Sequence, residues 1–517
     1  MRGRLLTAAG LLLAGSGVVV PLQLWGPAPV PSGPRRTASA GMGEVTRVSL
    51  PAAGLTAVPV CPGPQSLVVP DGGRALDPSG PVVVGAVVEP VASGPPASLD
   101  GTVLRDGGDG FTLAALPRTS AGLVTVKIPP SSVAPAMSAV QLALARSGDA
   151  RGLTALACPG TATRSWLVGG GTRTGRRGRL VLANPAAGPA EASIVVHGPG
   201  GAVGASGGTT VAIPPHGVRA VRIDALAPGL DSVAVLVLAR RGRVSATLQD
   251  SDVRGLTPAG ADDIGPSAPP ARRQIVPGLT VTAPSGAVPK GPAVPRATSA
   301  EAAVRVVNPG AEEAVVKITL LGASGPVTMP GAVLTLPPGA VSDVPVSGVA
   351  AGSYAAVVEA DTEVVAGAVV TERADGGGRS PDVGWAASVQ ALGGPAVLAL
   401  PSPTENGRPV PVTTVLSVVA PDGAGSLEIV QLEATGKRLS TTTLPVPARS
   451  SVICALAPTA AAVRLRPVEG SAALMAAAVL HVADTAGPMV SVVPVRPGHA
   501  ATSERPHVVS DVRTGLS

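Results

Sequence analysis

Short apolar runs with a two-residue period recur along most of the chain. Ala314, Val316, Ile318 and Leu320 point one way, while Val315, Lys317 and Thr319 point the other. Val244, Ala246 and Leu248 likewise oppose Arg243, Ser245 and Thr247. Period two with one apolar face predicts antiparallel sheets packed on a core.

The runs also repeat in a fixed order. Arg179–Pro185, Ser193–Gly198, Val211–Pro215, Val218–Asp224, Val233–Leu238 and Arg243–Leu248 form one copy. Val304–Pro309, Val315–Leu320, Leu334–Pro338, Tyr354–Val358 and Val364–Val369 form a second. A looser third runs from Val415–Pro421 through Leu427–Leu432, Leu444–Pro447 and Val463–Arg466 to Leu474–Leu480. The last two runs of each copy flank a short polar turn (Arg241-Gly242, Asp361-Thr362, Glu469-Gly470), which predicts a hairpin. Copies of about 100 residues fit an all-β chain of tandem immunoglobulin-like or fibronectin-like antiparallel β-sandwich modules. The expected modules are 164–270, 271–390 and 391–497, with 45–163 a divergent fourth and 498–517 a flexible tail.

Composition sharpens this picture. Of 517 residues, 66 are Gly and 56 Pro, and only 14% are charged, but 45% are hydrophobic, so core material is ample and general disorder is excluded. The aromatic residues are Trp25, Phe111, Trp166, Tyr354 and Trp385, so cores must be built from Val, Ala and Leu. The glycines have no three-residue period, which excludes collagen.

Met1-Arg2-Gly3-Arg4 is basic, and Leu5 to Trp25 follows without a charge. This run just reaches the roughly 20 residues that span a bilayer core. It predicts that 1–26 is a transmembrane or signal segment, with the remainder outside the cytoplasm. The small-residue site Ala38-Ser39-Ala40 lies too far beyond the apolar run for ordinary cleavage. An uncleaved membrane anchor is therefore expected, with secretion the alternative. Residues 27–44 read as a Pro-rich spacer.

The formal charge is +6, yet the one dense basic run, Arg173-Thr174-Gly175-Arg176-Arg177-Gly178-Arg179, contains no aromatic platform, which argues against nucleic acid. It reads as a solvated turn, with contact to an anionic phosphate polymer the rival. Cys61 and Cys158 each open a Cys-Pro-Gly tripeptide. In an exported chain they are the natural disulfide pair, leaving Cys454 as a small buried hydrophobe. A bridged module would gain roughly 4–5 kcal/mol on the chain-entropy account.

A longer series follows around Cys158. Ser147–Leu153 leads to Cys158-Pro159, Ser165–Gly171, Gly178–Leu180, Asn184-Pro185, Ile213–His216, Asp224–Gly229, Arg254–Asp262 and Ala268–Pro277. In this order the series resembles the uncharacterised actinobacterial family DUF5719, whose first cysteine Cys61-Pro62 also fits. The resemblance is specific between about Gly148 and Pro277. It implies a membrane-anchored or secreted envelope protein with no assigned activity, similar in gene setting to envelope glycosylation. No catalytic residue carries over.

Candidate chemistry is sparse. His197 and His216 read as surface histidines at a strand end and in a turn, and His481, His499 and His507 are scattered. Gly204-Ala205-Ser206-Gly207-Gly208 matches Gly-x-Ser-x-Gly but lacks the strand-before, helix-after context of a nucleophile elbow. Asp250-Ser251-Asp252 and Asp262-Asp263 lack EF-hand spacing. The bland reading of Arg240–Asp263 is ion pairing that orders a connection between modules. Gly169–Thr172 lacks the Gly-Lys-Ser/Thr of a phosphate loop. Trp166 and Trp385 lie near glycines at module approaches and are expected to plug seams. Arg173, Arg176 and Arg177 join them as candidate interaction or seam residues.

The expected function is a non-enzymatic cell-envelope scaffold or interaction protein with no catalytic, cofactor or metal residues. Its expected partners are the membrane, through the N-terminal helix, and an envelope protein or glycan, with no nucleic acid. A glycan-binding module set is the first alternative and a hydrolase of envelope polymers the second. The first predicts an exposed Trp166 or Trp385, the second a His joined to a Ser and a carboxylate.

Overall fold

The computed structural model describes residues 59–63, 82–89, 97–106, 111–118, 123–127, 136–204, 208–282, 302–372, 380–405 and 408–497. The chain divides into two compact units, Met1–Pro51 and Ala52–Ser517, and the described residues belong to the second. The expected anchor 1–26, spacer 27–44 and tail 498–517, and Ser206, lie outside the described residues.

The described chain is all-β apart from one short helix, α1 (Ile223–Leu226). Its strands fall into four groups with one connectivity. The first group is β1 (Val60–Cys61), β2 (Val82–Val88), β3 (Ser98–Leu99), β4 (Thr102–Val103), β5 (Arg105–Asp106), β6 (Thr112–Arg118), β7 (Val124–Lys127), β8 (Met137–Ala145) and β9 (Gly152–Ala157). The second is β10 (Arg164–Val168), β11 (Arg176–Asn184), β12 (Ala190–Gly198), β13 (Gly201–Val203), β14 (Thr209–Ile213), β15 (Gly217–Arg222), β16 (Ala234–Arg241), β17 (Ser245–Arg254) and β18 (Thr257–Ile264). The third is β19 (Ala271–Val281), β20 (Ala303–Val307), β21 (Ala314–Gly322), β22 (Gly325–Val327), β23 (Val333–Leu336), β24 (Val341–Pro345), β25 (Gly352–Glu372) and β26 (Asp382–Ala387). The fourth is β27 (Ala396–Ala399), β28 (Thr404–Glu405), β29 (Arg408–Pro409), β30 (Thr413–Ala420), β31 (Gly425–Leu432), β32 (Arg438–Val446), β33 (Ser450–Ala455), β34 (Ala462–Pro467), β35 (Met475–Val482) and β36 (Met489–Pro494).

Each group forms two main antiparallel sheets, and the fourth adds the two-stranded β28-β29. The first sheets run β1-β7-β3-β4, β10-β16-β12 with β13 and β14, β19-β25-β21 with β22 and β23, and β27-β34-β31-β32. The second sheets run β6-β2-β8-β9 with β5 beside β6, β15-β11-β17-β18, β24-β20-β25-β26 and β33-β30-β35-β36. The divergent first group thus shares the order of the other three. Repetition extends to single side chains. Buried Asn184 donates through Nδ2 to the carbonyls of Gly188, Ile213 and Pro214, and buried Asn308 donates to those of Glu312, Leu336 and Pro337. Each Asn-Pro corner ties the end of its strand to the Pro-Pro turn, satisfying buried backbone carbonyls.

The hairpins expected at Arg241-Gly242, Asp361-Thr362 and Glu469-Gly470 are not formed. β16 and β17 lie in opposite sheets, as do β34 and β35. β25 is one strand of 21 residues that crosses Asp361 without turning. Its first half pairs with β19 and β21, and its second half with β20 and β26. Polar residues at these points mark a crossing between sheets, so apolar runs adjacent in sequence do not pair. The strands that pair at the end of each module are instead β8–β9, β17–β18, β25–β26 and β35–β36.

The four modules close on themselves. The last strands pack in a cycle: β9 on β18, β18 on β26, β26 on β36 and β36 on β9. Around it, the first sheet of one module packs on the second sheet of the next, β10 on β20 and β25, and β19 on β30 and β35. β27 of module four packs on β2 and β8 of module one and completes the ring. One core therefore joins Phe111, Leu142 and Leu153 to Leu398, Leu416 and Leu480. Burial on both strand faces explains why β9, β26 and β36 are buried along their whole length. The small side chains of these strands let them approach closely. A Cβ on Gly152 would lie 2.8 Å from the Ala261 carbonyl oxygen and from Asp382 Oδ1. Gly260, with φ +114°, sits in a region closed to most L-residues and would place a Cβ 2.5 Å from Val383 N.

Candidate functional site

A buried disulfide ties down module one. Cys61 and Cys158 form a disulfide with Cα atoms 4.8 Å apart at a sequence separation of 97. Both are buried in the module's core beside Val84, Leu99 and Val126. Cys454 is free and half-buried on β33, less enclosed than its apolar run suggests, and burial pushes its thiol pKa up.

The densest polar cluster lies where modules two and three meet. Arg305 on β20 is fully buried and makes a bidentate pair with Asp343, at 2.6 and 2.8 Å. It also donates to the carbonyls of Gly170 and Val233, at 2.6 and 2.9 Å. Asp343 accepts from Ser232 Oγ at 2.6 Å. Burial alone would raise the Asp343 carboxyl, but Arg305 outweighs it and holds the pKa below the ordinary value. The Arg305 guanidinium stacks 4.8 Å from the centre of the Trp385 ring, and Arg176 lies 5.5 Å from the same ring. Trp385 Nε1 donates to Asp250 at 3.0 Å, and Arg176 meets Asp250 through two bonds of 2.9 and 2.6 Å. Burial opposes the charge on Arg176, yet the adjacent Asp250 keeps the pKa above the ordinary arginine range. An arginine fork and an indole N–H suit this work because each satisfies an acceptor that the seam removes from water.

The basic run is therefore not a solvated turn. Arg176 opens β11 and is buried at the seam, and Arg173 pairs with Asp252 at 2.6 Å. Arg177 is exposed, 3.7 Å from Asp149. The carboxylates Asp250 and Asp252 sit on β17, a sheet strand, and not on a connection between modules. Trp166 is 4% exposed and packs with Val307, Val341 and Val365 of module three. Trp385 is 3% exposed. Neither ring presents a face to a sugar. His197, read from sequence as a surface residue, is buried against Trp166, with ring centres 5.0 Å apart. Its Nδ1–H donates to the Gly339 carbonyl at 2.8 Å, and burial lowers its pKa. His216 occupies an exposed turn with φ +47°.

A second polar knot lies among the four last strands. Asp382 of β26 accepts the backbone N–H groups of Val490 at 2.9 Å, Leu153 at 3.2 Å and Ala261 at 3.3 Å. These donors belong to modules four, one and two. Asp262 of β18 accepts from Trp385 N at 2.6 Å and from Ser491 Oγ at 2.7 Å. Ser491 in turn accepts from Ala155 N at 3.0 Å. Side chains thus satisfy backbone donors that edge strands would otherwise leave unpaired. Burial pushes the Asp382 carboxyl up to about 7 against the pull of four backbone N–H groups. Burial likewise raises Asp263 to about 6, and it raises Asp262 well above the ordinary range. Nothing in the sequence distinguished Asp382, Asp343 or Arg305 as special, because each is defined by partners over 38 to 229 residues away.

Open clefts line the surface of module four and its boundary with module three. One of about 420 Å³ lies in module four between Gly425, Ser426, Pro445–Pro447 and Glu469–Ser471. The other, about 390 Å³, lies between modules three and four, beside the Arg273–Asp422 pair. Among the described residues, no group of three or more His, Cys, Asp and Glu could hold a metal ion. No described helix is long and apolar enough to cross a membrane.

No curated protein and no solved structure matches the chain. The family of unknown function DUF5719 matches residues 115–457. That range starts inside module one and ends inside module four, so it holds both polar knots apart from Val490 and Ser491 at the ring closure. With well over half of its length so matched, the chain belongs to the DUF5719 family.

Proposed function

We propose that this protein is a non-enzymatic scaffold of the cell envelope. It would be held outside the cytoplasm by its N-terminal apolar segment and present a closed ring of immunoglobulin-like or fibronectin-like sandwiches to an envelope protein or glycan. One observation carries the reading: the clustered titratable and aromatic side chains join modules to one another. Asp250, Arg176, Trp385, Arg305 and Asp343 form one seam, and Asp262, Asp382 and Ser491 another. Enzymes hold such groups in a cleft open to substrate. The buried disulfide supports an oxidising compartment.

Crosslinking in intact cells followed by purification of the full chain tests this. Recovery of a defined envelope partner, with the chain protected from cytoplasmic labelling reagents, is the expected result. Labelling from the cytoplasmic side, or turnover of an envelope polymer by the purified chain, overturns it.

A further inference from the structure

The outermost strand of the first sheet differs in module four. In modules two and three it is broken into β13 with β14 and β22 with β23, and in module one only β4 remains. In module four it is β32, one strand of nine residues at the sheet edge, bulged at Leu439 and regular from Ser440 to Val446. Thr441, Thr442 and Thr443 are exposed in succession, so neither face of the strand is covered there. No charged residue lies between Leu439 and Val446, although charge is the ordinary guard of an edge.

The direction of its backbone follows from its neighbour. Ser426 donates its N–H to Ser471 Oγ and accepts from Val468 N, both on the far side of β31. Its partner Pro445 therefore turns its backbone groups away from β31, and by alternation so do Thr443 and Thr441. These outward N–H and C=O groups have no partner among the described residues. Pro445 carries no N–H, so the available ladder is short.

We infer that β32 pairs with β32 of a second copy of this chain, antiparallel about a twofold axis through Thr442. This register sets Thr441 opposite Thr443 of the other copy, with both outward pairs of backbone groups exchanged. Lys437 and Arg438 then fall opposite Pro447 and Val446, which line the 420 Å³ cleft of module four. The one charged residue lining that cleft is Glu469, so each copy brings cations to the other's carboxylate. The strand is self-complementary in both hydrogen bonding and charge. The contact is small, so the dimer is weak and dependent on concentration.

Cysteine crosslinking of the full chain tests the register. Residues facing across the axis form a close pair, with Cα atoms about 4.5 Å apart where the backbone groups point away from each other. T442C is expected to give a covalent dimer on a non-reducing gel, whereas T441C and T443C stay largely monomeric, as does the native chain with Cys454. Equal crosslinking of all three variants, or none with T442C, overturns the inference. In sedimentation, E469K and K437E are each expected to weaken association at least tenfold, and the double charge swap to restore it. A double variant no better than either single one also overturns it.

Discussion

The carboxylate of Asp382, on the last strand of module three, accepts the backbone N–H of Leu153, on the last strand of module one, 229 residues away. The same carboxylate reaches modules two and four, so one side chain touches every other module of the ring. An edge strand buried without such an acceptor would leave its donors unsatisfied.

Replacing Asp382 by Ala is therefore expected to cost about 3–5 kcal/mol of stability, since several buried donors lose their acceptor together. Chemical denaturation of the purified chain measures this. A loss below about 1 kcal/mol, the scale of an ordinary surface substitution, would contradict the assignment.

The pH dependence follows from the same knot. Asp382 and Asp263 are raised to about 7 and about 6 from an ordinary value of 3.8. An acid that keeps its proton longer when folded gives stability that is complete below its unfolded pKa and fades as pH rises through its folded pKa. Unfolding free energy should therefore fall as pH rises from 3.8 toward about 7, and D382N should flatten that slope. Asp343 is lowered by Arg305, so its contribution is lost only on further acidification. A native slope that rises across this window would contradict the account.

At the seam between modules two and three, R305A should destabilise by about 3–5 kcal/mol, because Asp343 is left buried without its partner. The pair R305M with D343L should cost less than R305A alone, since no uncompensated charge remains. A double-mutant cycle measures the coupling. Additive losses would show that the two side chains do not act as a pair.

Removal of the Cys61–Cys158 bridge by C61A is expected to cost about 4 kcal/mol, given the long loop that it closes. C454S should change stability by less than about 1 kcal/mol. Thermal unfolding under non-reducing conditions distinguishes the two. Equal losses would mean that the bridge has no special role.

The sequence made local features legible. Alternation in Ala314–Leu320 is matched by buried Ala314, Val316, Ile318 and Leu320, and the Cys-Pro-Gly pair is bridged. The ring was not legible, for reasons that lie in particular residues. β18 reads Thr-Pro-Ala-Gly-Ala-Asp-Asp-Ile and β26 reads Asp-Val-Gly-Trp-Ala-Ala, so Gly, Pro and Asp give these buried edge strands the composition of turns. These residues are required there, glycine for close approach and aspartate for strand-edge donors. Asp361-Thr362 misled in the opposite sense, since polar residues occur where β25 passes from one sheet to the next. Arg176 and His197 looked exposed because their burial comes from module three.

Amide hydrogen exchange on the last strands tests the closed ring most directly. The N–H groups of Leu153, Ala261, Trp385 and Val490 are held by carboxylates from other modules. The ring predicts that they exchange as slowly as amides of the central strands β2, β11, β20 and β30, because exposing them requires modules to separate. Modules strung out in tandem would leave these edges open to water. Fast exchange at all four, alongside protected central strands, would contradict the ring.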